Sequence, residues 1–182
     1  MELEPYWGMS RALYLQEMCN LYGDFKVARA WKGQNGDIIW TKHRSIMECW
    51  QTDEGIAWLN TVNNRGGYEC EVRIDIDPPS GEDPEATRKR FESMCDRLES
   101  YNIKHYQGWF SGSRGYHIHF IAIEFASDPS IRQKVRGAII RMAAADQCKV
   151  VDTSMLTLEW APNNKTGNPK VPVRGDFTCP IL

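Results

Sequence analysis

Apolar and polar residues alternate along the chain in patterns that change period several times. Helical spacing from Ser10 to Tyr22 predicts a first helix, with Ser10 as its N-cap and Gly23 as its stop. The stretch DFKVARAWKGQNGDIIW alternates and turns at Asn35-Gly36, a hairpin signal. A second amphipathic helix is expected over Ile46–Asn60, followed by the turn-rich NNRGG. EVRIDID, ending at Asp77, sets valine and isoleucines against charged residues at a period of two, the pattern of a strand with one apolar face. Asp83-Pro84 opens a helix to about Ser100, with Phe91, Cys95 and Leu98 on one face. KHYQGWF and GYHIHFIAIEF read as two strands, and a further helix starts at Ser127 or Asp128 before Pro129. CKVVDTSMLTLEW returns to strand character, and APNNKTGNPKVPVRGDF reads as an ordered loop plus a short strand. From Glu71 onward the order strand–helix–strand–strand–helix–strand is that of a split βαβ sheet. The expected class is α+β: one domain, 1–182, made of an N-terminal αβ unit (1–66) packed on a second unit (67–182).

Composition narrows the function classes. The chain has 182 residues, 42% hydrophobic and 25% charged, as a soluble globular domain has. Its formal net charge of -2 carries no global basic signature, so a nucleic-acid surface has to be local. The six cysteines are scattered without a C-x-x-C pair, which argues against a sequence-local zinc site and against a secreted disulfide framework. The N-terminus is acidic and lacks an apolar signal core, and no apolar run reaches membrane-spanning length. A cytoplasmic location without membrane contact is expected.

Asp75 and Asp77 stand two apart in a strand, so both carboxylates project from one face. Side by side they repel unless a cation lies between them. A hard divalent ion, Mg²⁺ or Mn²⁺, is the natural neutraliser; the alternative is a solvated polar strand face. Asp152, after the apolar run in KVVDTS, is a third aspartate at a predicted strand end, where a turn-forming role is the alternative. Arg73 and Glu71 share the face of Asp75, so Arg73 is also placed to pair with an acid.

SGSRGYHIHF, residues 111–120, joins two strands. Gly112 and Gly115 permit a sharp turn or close approach, Ser111 and Ser113 supply hydroxyls, and Arg114 supplies a fork matched to phosphate oxygens. With free backbone N–H groups and His117 at the start of the strand, this is an anion nest or, equally, a glycine-rich hairpin turn. His119 shares the face of His117. The pair admits a metal clamp of the kind used by tyrosine-dependent nicking endonucleases of the replication-initiator or relaxase type, although no tyrosine follows Tyr116. The relaxase order leaves Tyr6, Tyr14 and Tyr22 as nucleophiles, and a packed, supporting His119 is the competing reading. Lys165 in NNKTG is positioned to reach a phosphate or to stand in solvent, and Arg44, in a basic cluster before a helix, either holds template or phosphate or stands at the surface. Trp40, Trp50, Trp58 and Trp109 are expected in the core.

Taken together, Asp75-Ile76-Asp77, Ser111-Gly112-Ser113-Arg114-Gly115-Tyr116-His117 and Val151-Asp152 resemble the three motifs of the archaeo-eukaryotic primase superfamily. The resemblance runs from about Trp40 to Val173, and NNKTG looks like that family's K-T-G stretch. LTLEWAPNNKTG departs from the common pattern, being shorter and carrying Glu159 and Trp160. The resemblance implies an RRM-like catalytic sheet with an αβ unit against it. It implies two divalent metals, Mg²⁺ or Mn²⁺, on Asp75, Asp77 and Asp152, and a triphosphate held by Ser111, Ser113, Arg114, His117 and Lys165. The implied activity is that of a DNA primase or primase-polymerase, with an end-joining repair polymerase as a variant. The implied partners are nucleoside triphosphates, a single-stranded DNA template and primer, and a helical accessory domain or subunit or a replicative helicase. A nucleic-acid-binding module without catalysis is a further alternative.

Overall fold

The computed structural model of the chain describes residues 9–122, 128–151 and 153–177. It opens with helix α1 (Arg11–Tyr22), capped by Ser10, whose hydroxyl accepts from the Leu13 amide, and stopped at Gly23. Four short strands follow, β1 (Lys26–Ala28), β2 (Ala30–Lys32), β3 (Ile38–Trp40) and β4 (Arg44–Ser45), then helices α2 (Ile46–Cys49) and α3 (Asp53–Leu59). The single helix expected over Ile46–Asn60 is therefore two. Thr52 caps a new helix by accepting from the Gly55 amide, and Gly55 packs so closely on the Cys49 carbonyl that a Cβ would overlap it. Strands β5 (Asn64–Arg65) and β6 (Glu71–Ile76) lead to helix α4 (Pro84–Ser100), strands β7 (Gln107–Phe110) and β8 (Tyr116–Ile121), and helix α5 (Pro129–Met142), capped by Asp128. A 3₁₀ turn (Gln147–Val150) precedes β9 (Leu156–Thr157) and β10 (Val171–Gly175).

Two antiparallel four-stranded sheets carry the fold. One has the order β4–β1–β5–β9 and the other β10–β7–β8–β6, while β2 and β3 form a separate hairpin. The class is α+β, as the sequence patterns predict. In the second sheet β8 lies between β6 and β7, so β6–α4–β7 with β8 inserted is a split βαβ unit. The fourth strand differs from expectation. The CKVVDTSMLTLEW segment gives a 3₁₀ turn and then β9, which pairs with β5 in the other sheet. Its place is taken by β10, which pairs with β7.

Strand β6 fixes where chemistry can occur. Val72, Ile74 and Ile76, with Ile118 and Phe120 of β8, pack on Phe91, Met94, Cys95 and Leu98 of α4. The opposite face carries Glu71, Arg73 and Asp75, with His117 and His119 across the strand pair. That face is not solvated: all six residues of β6 are buried. The N-terminal unit covers it, in a second core that joins Leu15, Met18 and Ile46 to Trp109, Leu158 and Ala161.

Two aliphatic cores flanking a charged layer demand that each ion be paired. Arg65 on β5 makes a two-pronged contact with Glu71, at 2.7 and 2.8 Å, and another with Glu159, at 2.9 and 3.0 Å. Lys170, fully buried, donates to the Thr157 carbonyl and to His119 Nε2, each at 2.9 Å, and lies 3.4 Å from Glu159 Oε1. Glu159, the residue at which LTLEWAPNNKTG departs from the primase pattern, is thus the carboxylate that joins Arg65 to Lys170.

Candidate active site

At the open end of the charged layer lies a cleft of about 340 Å³, lined by Asp75, Asp77, Ser111, Ser113, Arg114, His117 and Lys165 among others. Seven of the eight residues singled out from the sequence therefore meet in one place. The eighth, Asp152, lies outside the described residues. Its neighbours are held against the sheet, since Arg73 donates to the carbonyls of Val151, at 3.1 Å, and Ser154, at 2.7 Å. Arg73 also lies 3.7 Å from Glu71, its carboxylate partner among the described residues.

Asp75 is buried opposite His117 on the neighbouring strand, and Asp77 stands exposed just past the strand end. Asp75 Oδ1 finds no hydrogen-bond partner among the described residues. His117 Nε2 is 3.4 Å from that oxygen without the alignment of a hydrogen bond. Burial, then Asp77 and Asp146, push the Asp75 carboxyl up to about 6, against the opposing pull of Lys149, whose Nζ is 3.5 Å from Oδ2. An orphaned carboxylate oxygen beside a second carboxylate suits a hard cation. Among the described residues, no three carboxylate, imidazole or thiol side chains converge as a complete metal site.

His117 is held neutral by burial and by the positive charges of Lys170 and Lys149, and its Nδ1 is buried without a partner among the described residues. His119 differs. Lysine can only donate, so Nε2 accepts from Lys170; Nδ1, 2.9 Å from Glu71 Oε1 and 3.2 Å from Arg65 Nη2, then carries the ring proton, which goes to the carboxylate. Burial and Lys170 lower its pKa to about 4. With both ring nitrogens engaged, His119 has none to offer a metal, which removes the histidine-pair clamp. Of the tyrosines that reading needs, Tyr14 is buried with its hydroxyl on Glu159, Tyr22 is stacked on Tyr68, and Tyr6 lies outside the described residues.

The 111–115 loop is shaped by its own atoms and by a second loop. Ser111 Oγ accepts from the amides of Ser113 and Gly115, at 3.4 and 3.3 Å, so two of the N–H groups expected to be free for an anion are already used. Asn163 donates to the Ser111 carbonyl at 2.9 Å and Thr166 to the Gly112 carbonyl at 2.7 Å, which fastens NNKTG to the loop and brings Lys165 to the rim. Gly115 is required by proximity: a Cβ there would lie 2.5 Å from Asp77 Oδ1 and 2.9 Å from the Ile76 carbonyl.

The cleft also contains residues that local sequence does not reveal. Asp146 caps the 3₁₀ turn and Lys149 lies within it, and the Asp146 amide donates to the Asp75 carbonyl at 2.9 Å. Nothing in DQCKVV marks them; only the return of the chain from α5 brings them beside Asp75. Trp40 lines the cleft and is 42% exposed, whereas Trp109 is fully buried and Trp50 and Trp58 pack partly buried against the core. The expectation of four core tryptophans is corrected for Trp40, which hairpin β2–β3 carries out of the core. Arg44 lies over the Trp58 ring at 5.0 Å, a cation–π contact.

No protein-family model and no curated protein matches the chain. Solved structures do. Primase RepB' superposes with a TM-score of 0.56 at 12% identity, over 91% of this chain and 56% of its own. The AEP domain of the cyanophage S-2L primase-polymerase superposes with a TM-score of 0.52 at 11% identity, over 92% of this chain and 91% of its own. The chain has the fold of these two domains. The chain spans little more than half the length of RepB' and nearly all of the phage domain. At these identities what is shared is the primase fold. Within it, the cleft described above lies where the two sheets meet.

Proposed function

We propose that the chain is a template-directed nucleotidyltransferase, a DNA primase or primase-polymerase, that makes short strands on single-stranded DNA. The observation that carries this reading is the buried Asp75 carboxylate, its Oδ1 without a hydrogen-bond partner among the described residues, beside Asp77 and facing the Ser111–His117 loop across one cleft. In the reaction, the 3′-hydroxyl of one nucleotide attacks the α-phosphorus of the next and pyrophosphate leaves. Asp75 and Asp77, with Asp152 as the third carboxylate implied by the motif, would hold two Mg²⁺ or Mn²⁺ ions. Such ions supply acidification of the attacking hydroxyl and neutralisation of the leaving phosphates.

The remaining roles fall to the chain's own groups. Arg114 and Lys165, both exposed at the rim, meet the triphosphate with permanent positive charge. Ser113 and the Ser111 hydroxyl proton donate to phosphate oxygens. Neutral His117 keeps Asp75 in place without competing for it as a cation would. Lys149 balances Asp75 from the other side. Single-stranded template, labelled NTPs or dNTPs and Mg²⁺ or Mn²⁺, incubated without primer, should give short products. Replacing both Asp75 and Asp77 with alanine should abolish them while thermal unfolding stays near wild type; undiminished synthesis by the double variant sinks the reading.

A further inference from the structure

Hairpin β2–β3 borders the catalytic cleft on one side and, on the other, a second groove of about 460 Å³. The two share Asn163, Asn164 and Lys165, so they are continuous across the NNKTG loop. The second groove is lined by Arg29, Trp31, Lys32 and Lys165, with no acidic side chain on its wall among the described residues. Trp31 is 41% exposed, and the Arg29 guanidinium lies 5.7 Å from its ring centroid. Between Arg29 and Arg44 the sequence holds four permanent cations (Arg29, Lys32, Lys42, Arg44) against one carboxylate, Asp37, at the hairpin turn. In a chain of net charge -2 this concentration is local.

The hairpin is also held firmly enough to present a surface. The Asn63 side chain accepts from the Ala30 amide at 2.8 Å and donates to the Ala30 carbonyl at 2.7 Å, occupying the position of a neighbouring strand. Cross-strand pairing sets Trp31 beside Ile39 and Ala30 beside Trp40. Both tryptophans are exposed, and only Trp40 lines the catalytic cleft.

We propose that the groove formed by Arg29, Trp31, Lys32 and Lys165 is the seat of the single-stranded DNA template, which passes from it over the NNKTG loop into the catalytic cleft. This rests on the primase-polymerase reading above. Single strands are held by an aromatic face for a base and cations for the flanking phosphates, and this groove offers both. Base-paired DNA buries the base faces that Trp31 would stack on, so a single strand is the occupant that the chemistry selects.

The test uses fluorescence anisotropy of a labelled oligothymidylate with the full chain, in EDTA and without nucleotide. Trp31→Ala should weaken binding about tenfold or more and Trp31→Phe much less, as expected for a stacked base. Arg29→Ala with Lys32→Ala should flatten the dependence of log K on log salt by roughly 0.7 for each cation removed. The Asp75→Ala/Asp77→Ala variant should bind like wild type, and circular dichroism should show every variant folded. Unchanged affinity and salt slope in the Trp31 and Arg29/Lys32 variants overturns the proposal, as does equal affinity for a duplex. A wild-type chain that binds through Trp31 yet adds no nucleotide sinks the enzymatic reading and leaves the groove standing. Nucleotide addition by the groove variants at wild-type template KM does the reverse.

Discussion

At the scale of single residues, Asp75 is the group whose state most directly gates the site. Its carboxyl titrates at about 6 rather than 3.8, chiefly because burial disfavours the charged form. Between those values the folded chain holds a proton that the unfolded chain has released. The resulting stabilisation is present at the acidic end and is lost as pH rises through 6. Metal binding needs the ionised form, so its dependence has the opposite sign. Affinity of the metal-free protein for Mn²⁺ should rise about tenfold per pH unit up to pH 6 and then level off, with one proton released per ion bound. Titration by electron paramagnetic resonance from pH 5 to 7.5 checks this. A flat profile in the wild type would show that Asp75 is not the ligand, and Asp75→Asn should abolish the rise.

Among the elements, the 111–115 loop and NNKTG act as a joined pair. Gly112 has φ of 81°, and a Cβ on it would lie 2.5 Å from the Asn168 carbonyl, so Gly112→Ala both strains the backbone and pushes the loops apart. Thr166→Val removes the hydroxyl that donates to the Gly112 carbonyl and accepts from the Asn168 amide, bonds worth about 1 kcal/mol each. Steady-state kinetics should show nucleotide KM raised about fivefold in Thr166→Val, and more in Gly112→Ala. The D-x-D pair and the serine-glycine loop were legible in the sequence because their spacing is local: strand parity puts both carboxylates on one face, and glycine marks a close approach. The helix break at Trp50–Thr52 was hidden because the apolar period runs across it, although Thr52-Asp53-Glu54 is a capping signal. Asp146, Lys149 and the exposure of Trp40 depend on contacts between elements far apart in the chain, which no single-window pattern records.

For the molecule as a whole, the charged layer ties the two sheets into one. Arg65 comes from the first sheet, Glu71 and His119 from the second, and Glu159 and Lys170 from the segments that follow β9 and precede β10. Composition reading places such residues at the surface, and only their mutual pairing keeps them inside. Removing one partner leaves its neighbours buried and uncompensated. Arg65→Ala or Glu159→Ala should cost about 3–5 kcal/mol, and differential scanning calorimetry should show Tm lowered by on the order of 10 °C. The loss should appear in one transition, because neither sheet keeps its inner face satisfied alone; two separated transitions would contradict the shared layer. The two-faced burial of β6 has a further consequence, for folding fidelity. A one-residue slip of β6 against β8 would turn Glu71, Arg73 and Asp75 into the packing surface of α4 and set Val72, Ile74 and Ile76 against Arg65 and Lys170. In a half-exposed strand such a slip is penalised chiefly at its one buried face. Here neither side has water to turn to, so the strand pair that carries Asp75 proofreads its own alignment.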